Sequence, residues 1–449
     1  MRYGINIVFA FVATVLTTAS VNAQDSIREV PAYPTDKTMV RNITANRFLV
    51  YHELSGSGNF GIDYGTSTFR SASVPMGCGI VNDIEIVEGE IAFFCGKNWG
   101  APVFVWFNIN DFVGSNVTYN IIHIPNPLND FHITNLTKLT AYNTAADTGY
   151  HVIMVGEGKY NAYGDPTTYY CIIDCYTADI ASNNWQLTAT NYYKYYLQFD
   201  DVDKSSRFIG VSSRRRDYDM RQRVYFFNRP TNGSTSIFST TPYIHYCESP
   251  YASTTPSLIK NTEADKFVCA THFIGSSGNS ELILSLYDAS SYSNTMRKAL
   301  TLSSANFSGP VKDITVDMLG NTLFIVQDLT VSSNPNWSEL IVNLSSFAPM
   351  TTKYNLSGTN LNSLNSVSSY FTIPNMTLAS GISTSGNLAL FYSRYHTTPS
   401  SCYNLMPFTN TTLDLDNNYE EQMPTVMAVP TVSSFQKPVV SKTYLSICR

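Results

Sequence analysis

The stretch Val81–Ile109, VNDIEIVEGEIAFFCGKNWGAPVFVWFNI, decides how the chain is read. Val81–Val87 alternates its faces, and Glu88-Gly89-Glu90 is a tight turn. Ile91–Cys95 is a continuous apolar run, as expected of a strand covered on both sides. Gly96–Pro102 reads as a polar loop, and Val103–Ile109 as a further apolar, aromatic-rich run. Together these are three consecutive strands joined by short connections.

The covered run recurs along the chain. It appears as AFFCG from Ala92, VIMVG from Val152, FIGVS from Phe208, FVCAT from Phe267, LFIVQ from Leu323, LALFY from Leu388 and YLSIC from Tyr444, at intervals of 56 to 65 residues. Each is preceded by another strand-like run and a turn; Gly320-Asn321 and Gly386-Asn387 are of the kind that closes hairpins. Third strands are expected at Val103–Ile109, Tyr169–Tyr176, Arg223–Asn228, Leu282–Tyr287 and Glu339–Leu344. More polar fourth strands are expected at Val117–Ile124, Trp185–Tyr192, Ser234–Thr240, Met296–Leu302 and Thr351–Leu356. No helical periodicity competes with them.

A fixed period near 58 residues, with four antiparallel strands per unit and the outermost most polar, resembles the β-propeller superfamily over residues 24–449. The WD dipeptide, the kelch double glycine and the S-x-D-x-G-x-x-W box of sialidase-like propellers are all absent, so the resemblance names no family within it. VDMLGNTLFIVQD, Val316–Asp328, is similar to a blade hairpin of NHL-type propellers, in one copy only. The expected architecture is all-β: one domain, a seven-bladed β-propeller of four-stranded blades, with six blades as the alternative. The last blade is expected to be closed by strands from both termini, pairing Arg47–Leu54 and Phe60–Tyr64 with the hairpin that ends at Tyr444–Cys448. Closing the ring in this way removes sheet edges and ties down both ends.

Residues 1–23 have the form of a secretory leader: Arg2, the apolar run Ile7–Leu16, and the small-residue pattern Val21-Asn22-Ala23. The apolar run is too short to span a bilayer. The expectation is a secreted protein, extracellular or periplasmic. The formal charge of −6 argues against nucleic acid as partner. The eight cysteines favour disulfides over a metal site in an exported chain. Strand placement suggests Cys78–Cys95, Cys247–Cys269 and Cys402–Cys448. Cys171 and Cys175 cannot bridge within one extended strand, because four residues separate their Cα atoms by roughly 13 Å against a limit near 7 Å. Ten N-x-S/T sequons, at Asn42, Asn116, Asn135, Asn232, Asn306, Asn336, Asn343, Asn355, Asn375 and Asn410, make a glycoprotein of the chain if it passes through a eukaryotic secretory route.

By analogy with other propellers, ligands are expected at the channel mouth, on the face that carries the loops between second and third strands. The candidates there are Trp99, Tyr160, Tyr163, Tyr218, Trp337, Tyr395 and His396, whose rings suit sugar faces or protein surfaces. The same face carries Ser212–Arg223, SSRRRDYDMRQR, with five arginines in which Arg214, Arg215 and Arg216 are candidates to clamp an anion. A self-paired, solvated loop explains the same residues. Glycosidase chemistry needs two carboxyl groups facing each other across a substrate. Asp200, Asp201, Asp203 and Glu420-Glu421 are candidates by type, but neighbours in sequence do not establish that geometry. No nucleophile elbow, phosphate loop or metal-ligand spacing occurs. The expected function is therefore non-enzymatic binding of an extracellular glycan or protein, with no cofactor. An extracellular glycan hydrolase or lyase, and an adhesion scaffold, are the alternatives.

Overall fold

The structure is a computed structural model that describes residues 25–448 apart from 66–67, 76–79, 127–130, 145–147, 161–166, 194–196, 216–221, 234, 241, 248–254, 275–279, 292, 303–306, 332–333, 355–359, 371–375, 395–402, 406–407, 413–417 and 421–430. Seven antiparallel sheets form a closed ring, a seven-bladed β-propeller. From the channel outward, blade 1 contains Lys37–Thr44, Arg47–Leu54, Ser57–Asp63 and Thr68–Ser73. Blade 2 contains Ile80–Val87, Ile91–Asn98, Ala101–Asn108 and Asn116–His123. Blade 3 contains Phe131–Asn143, Tyr150–Tyr160, Thr167–Thr177 and Gln186–Tyr193. Blade 4 contains Leu197–Lys204, Phe208–Arg215, Gln222–Asn228 and Tyr243–Cys247, and blade 5 Leu258–Asn261, Lys266–Ile274, Ser280–Asp288 and Ser293–Leu302. Blade 6 contains Phe307–Val316, Thr322–Val331, Asn334–Asn343 and Ala348–Tyr354. Blade 7 takes Leu361–Ser369, Met376–Ser383 and Asn387–Arg394 from late in the chain and its fourth strand, Ser26–Pro34, from the beginning.

The continuous apolar runs follow from this stacking. In Ile91–Asn98, Ala92 and Phe94 enter the core shared with blade 1, while Phe93 and Cys95 enter the core shared with blade 3. Seven such cores, one per neighbouring pair of blades, close the circle; the last joins Leu378 and Leu390 of blade 7 to Val40 and Phe48 of blade 1.

Residues 403–448 do something the sequence reading did not anticipate. After blade 7 the chain reverses and runs round the outside of the ring. It adds a fifth antiparallel strand to blade 6 (Asn404–Leu405), blade 5 (Phe408–Thr412), blade 4 (Asn418–Glu420), blade 2 (Thr431–Pro438), blade 1 (Val440–Thr443) and finally blade 7 (Leu445–Cys448). Blade 7 is thus closed by both termini, but not by the expected strands. Leu445–Cys448 is an outer edge strand with Leu445 exposed, not a covered second strand. Arg47–Leu54 and Ser57–Asp63 are the two middle strands of blade 1. Leu388 lies in a third strand, and blade 7's second strand is Met376–Ser383. Phe48 and Tyr444 do not pair; they border one core between blades 7 and 1. In blade 4 the fourth strand is Tyr243–Cys247, whereas Ile237–Ser239 is a 3-10 turn whose Ile237 N–H donates to Asp174 Oδ2 at 3.1 Å.

A candidate ligand site in the central channel

The innermost strands carry a recurring device. Six of them contain a β-bulge, and in five the residue immediately after it is Asp83, Lys138, Asp201, Asp313 or Ser366, in blades 2, 3, 4, 6 and 7. A bulge re-aims the side chain that follows it. Here several carboxylates turn toward the neighbouring blade and accept its main-chain N–H: Leu139 donates to Asp83 Oδ2 at 3.2 Å, Ile259 to Asp201 Oδ2 at 3.0 Å, and Val367 to Asp313 Oδ2 at 3.1 Å. Ser366 Oγ receives Val40 N–H at 3.1 Å, carrying the pattern across the ring closure. Asp200 and Asp203 add Ser257 N–H at 3.0 Å and Asn261 N–H at 2.7 Å, so three carboxylates of blade 4 fasten blade 5.

The cations of the channel complete the lattice. Arg41 spans blades 6 and 2, with Asp313 at 2.7 Å and Asp83 at 3.1 Å. Lys138 lies 3.8 Å from both Asp83 and Asp201, Lys260 is 3.4 Å from Asp203, and Lys204 pairs with Glu85. Five acids thus face four bases. Burial, aided by the like charge of Asp83, pushes the Asp201 carboxyl up to about 7 against the pull of Lys138. Burial opposes ionisation of Asp313 too, but Arg41 and Lys138 outweigh it and hold its carboxyl below the usual range.

Two cavities lie along this axis. The inner one, about 180 Å³, touches all seven blades and is lined by the charged groups around Arg41, Asp83, Asp201 and Asp313. The second, about 330 Å³, lies where the inner strands of blades 3 to 6 enter from the interblade connections, at the mouth. Its walls are Phe199, Pro256, Leu258, Pro310 and Val311, with Gln198, Asp200, Lys138 and Lys312 as polar groups. Gln198 Oε1 is buried and has no partner among the described residues. The Lys138 ammonium, which borders both cavities, makes no hydrogen bond among the described residues; its contacts are the two carboxylates at 3.8 Å. Asp200 is engaged by Arg214 Nε at 3.0 Å as well as by Ser257 N–H.

Of the residues singled out from sequence, Trp99 is on the mouth face and 81% exposed. It does not lie in a loop of seven residues; Asn98 and Ala101 are paired, and Trp99-Gly100 alone make the turn, with φ of 49° and 85°. Both positive values identify the tight hairpin turn usually given to Asn-Gly. Arg214 is not a free clamp: its side chain is 7% exposed and paired with Asp200. Trp337 is not on the surface of the mouth; it is fully buried in the core between blades 6 and 7, where its Nε1–H donates to Leu361 O at 3.3 Å. The side chains of Tyr160, Arg215, Cys247 and Cys448, and residues Cys78, Tyr163, Arg216, Tyr218, Tyr395, His396 and Cys402 altogether, lie outside the described residues. Tyr395 and His396 belong on the mouth face only if the Leu388 run is a second strand; it is a third strand, and Asn387–Arg394 ends on the opposite face. Cys95, Cys171 and Cys175 are buried free thiols, and Cys269 Sγ lies 3.3 Å from Ser257 Oγ. The described residues contain no disulfide.

Lys138, Gln198 and Lys312 were missed by the sequence reading. A signal for their strands exists: Val81-Asn82-Asp83-Ile84, Leu136-Thr137-Lys138-Leu139, Phe199-Asp200-Asp201-Val202, Val311-Lys312-Asp313-Ile314 and Leu364-Asn365-Ser366-Val367 repeat one apolar–x–polar–apolar pattern at the bulge.

No family model matches the chain, and no curated protein is similar to it. Among solved structures it is similar to a chain from a Saccharomyces cerevisiae complex of Dbp5 with Nup159 and Gle1, at 8% identity and a TM-score of 0.35, covering 83% of this chain and 96% of that one. It is likewise similar to Trypanosoma rangeli sialidase, at 9% identity and a TM-score of 0.38, covering 92% of this chain and 91% of that one. At such values no residue role passes from either to this chain.

Proposed function

We propose that the protein is an exported, non-enzymatic propeller that binds an extracellular ligand at its channel mouth, and that the ligand is a carbohydrate. The observation that carries this reading is the mouth cavity. At about 330 Å³ it is at the lower end of small-ligand pockets, with apolar walls and few polar groups. A buried acceptor without a donor, Gln198 Oε1, is costly unless something supplies one. A sugar hydroxyl gives a donor to Gln198 and an acceptor to Lys138, while Phe199, Pro256 and Pro310 offer surface to the ring. Trp99 on the same face adds a stacking surface for a longer chain.

Hydrolysis is the less supported reading. Acids from blades 2, 4 and 6 do converge in the channel, but Asp83, Asp201 and Asp313 each hold a neighbouring blade's N–H and a cation. That is the environment of groups that join blades. A glycan array probed with purified 24–449 tests the proposal: binding to a defined set of glycans supports it, and no binding to any glycan removes it.

A further inference from the structure

The charge of the mouth cavity goes one step further, resting on the carbohydrate reading. Its lining contains two ammonium groups and one carboxylate. That carboxylate, Asp200, is 1% exposed at its side chain and already bound by Arg214 and Ser257 N–H. The two lysines are differently placed. Lys312 meets Asp328 at 2.8 Å, with both side chains 38% exposed, a surface pair that solvent screens and that exchanges easily. Lys138 sits above two carboxylates and hydrogen-bonds to neither. The cavity therefore presents two ammonium groups that its own acid does not engage, Lys138 facing Asp83 and Asp201 at 3.8 Å without a hydrogen bond and Lys312 in an exposed pair with Asp328, beside an acceptor, Gln198 Oε1, that needs a hydroxyl.

We propose that the mouth cavity binds a carboxylate-bearing sugar residue, with the carboxylate between Lys138 and Lys312 and a ring hydroxyl donating to Gln198. Charge-assisted contacts of this kind are stronger than those of a neutral hydroxyl, so an acidic sugar is selected over its neutral counterpart. A hexuronate and a sialic acid both present this chemistry.

The geometry also supplies a readout. Lys138 borders both cavities, so a carboxylate in the upper one draws its ammonium away from Asp201 in the lower one. Asp201 faces Lys138 of blade 3, Asp83 of blade 2, and Lys260 and Ile259 N–H of blade 5, with Arg41 and Asp313 across the same cavity. With Lys138 drawn off, repulsion from Asp83 is less opposed and Asp201 holds a proton more tightly. Binding near pH 7 then takes up a proton, and affinity falls as pH rises above 7.

Titration calorimetry of purified 24–449 tests this with an oligogalacturonide, a sialylated oligosaccharide and a neutral oligosaccharide of matched length, at pH 7 in buffers of different ionisation enthalpy. The expected result is about tenfold tighter binding of at least one acidic sugar, with the hexuronate and sialyl arms telling which. Proton uptake accompanies that binding and disappears in Asp201→Asn. Lys138→Met removes both the acidic preference and the proton uptake. Lys312→Gln, at an exposed position that does not threaten folding, reduces the acidic-to-neutral ratio severalfold. Equal affinity for neutral and acidic sugars, or an unchanged ratio in Lys312→Gln, overturns this inference and leaves the carbohydrate reading standing. Absence of binding to all three overturns the carbohydrate reading, and this inference falls with it.

Discussion

At the residue scale, Trp99 and Arg214 show how the same kind of side chain divides between surface and scaffold. Trp99 holds a left-handed backbone, φ 49°, in a two-residue turn while leaving its ring in water. That conformation costs an ordinary residue about 1 kcal/mol relative to Gly or Asn. Trp99→Asn is accordingly expected to stabilise the protein by about 0.5–1 kcal/mol in urea unfolding, while weakening binding of any extended glycan that stacks on the ring. Arg214 behaves in the opposite way. Arg214→Ala leaves Asp200 buried without its cation and is expected to cost about 3 kcal/mol, read as a lowered unfolding midpoint. Asp201 gives a pH dependence. Its carboxyl titrates near 7 in the native state and near its ordinary 3.8 when unfolded. Between those values the native state binds the extra proton, so this group alone makes stability fall as pH rises, by up to about 4 kcal/mol. Asp201→Asn should match the wild type near pH 4 and exceed it above pH 7, in urea midpoints measured at both. Trp99 and Arg214 could be named from sequence because aromatic and arginine residues next to turns stand out. Their opposite exposures could not, because they depend on what the adjacent strand presents.

At the scale of the strand, the bulge explains a glycine that composition leaves unremarked. Gly96 lies opposite the bulge at Asn82, and a Cβ there would sit 1.8 Å from the carbonyl oxygen of Ile80. Gly156 and Gly381 occupy the same place in blades 3 and 7, meeting the carbonyl oxygens of Asn135 and Ser363. The backbone, not a flexible side chain, is the obstacle, so Gly96→Ala must straighten the bulge or shift the strand. We expect it to cost about 3 kcal/mol or more and to disturb the Asp83–Leu139 bond, seen as loss of hydrogen-exchange protection at Leu139. Strand identity was legible because covered strands give continuous apolar runs. The bulges were not, since the period is plainest in the covered second strand of each unit, and the apolar–x–polar–apolar repeat lies in the first. Blade 4's fourth strand was misplaced for a related reason. Ile237 is apolar and fully buried, but it reaches the core from a 3-10 turn tied to Asp174.

At the scale of the whole molecule, the seven repeating units are the seven blades, but the two ends of the chain do not share one of them as the sequence suggests. Arg47–Leu54 and Ser57–Asp63 belong to a blade complete within residues 37–73, and the run at Tyr444 is an edge strand laid on blade 7. Periodicity reports that units repeat, but it does not say which run belongs to a blade and which lies across one. The band formed by 404–448 makes the distinction physical. Among its described side chains from 432 to 447 none is buried, so its hold on the ring is mainly main-chain hydrogen bonding at the outer edges. The seven interblade cores are built almost entirely from residues 27–403. A chain ending at Tyr403 should therefore keep the propeller and its far-UV signature, because every blade retains four strands. It loses the cover on six sheet edges, and uncovered edges pair with other chains. The expected outcome is a folded protein that unfolds faster in denaturant than the full chain and forms soluble oligomers at micromolar concentration by light scattering. A peptide of residues 404–449 added in trans should suppress those oligomers. If the shortened chain instead has no cooperative unfolding transition, the band is part of what closes the ring. If it is monomeric and unfolds at the full-length rate, the band does not protect the edges.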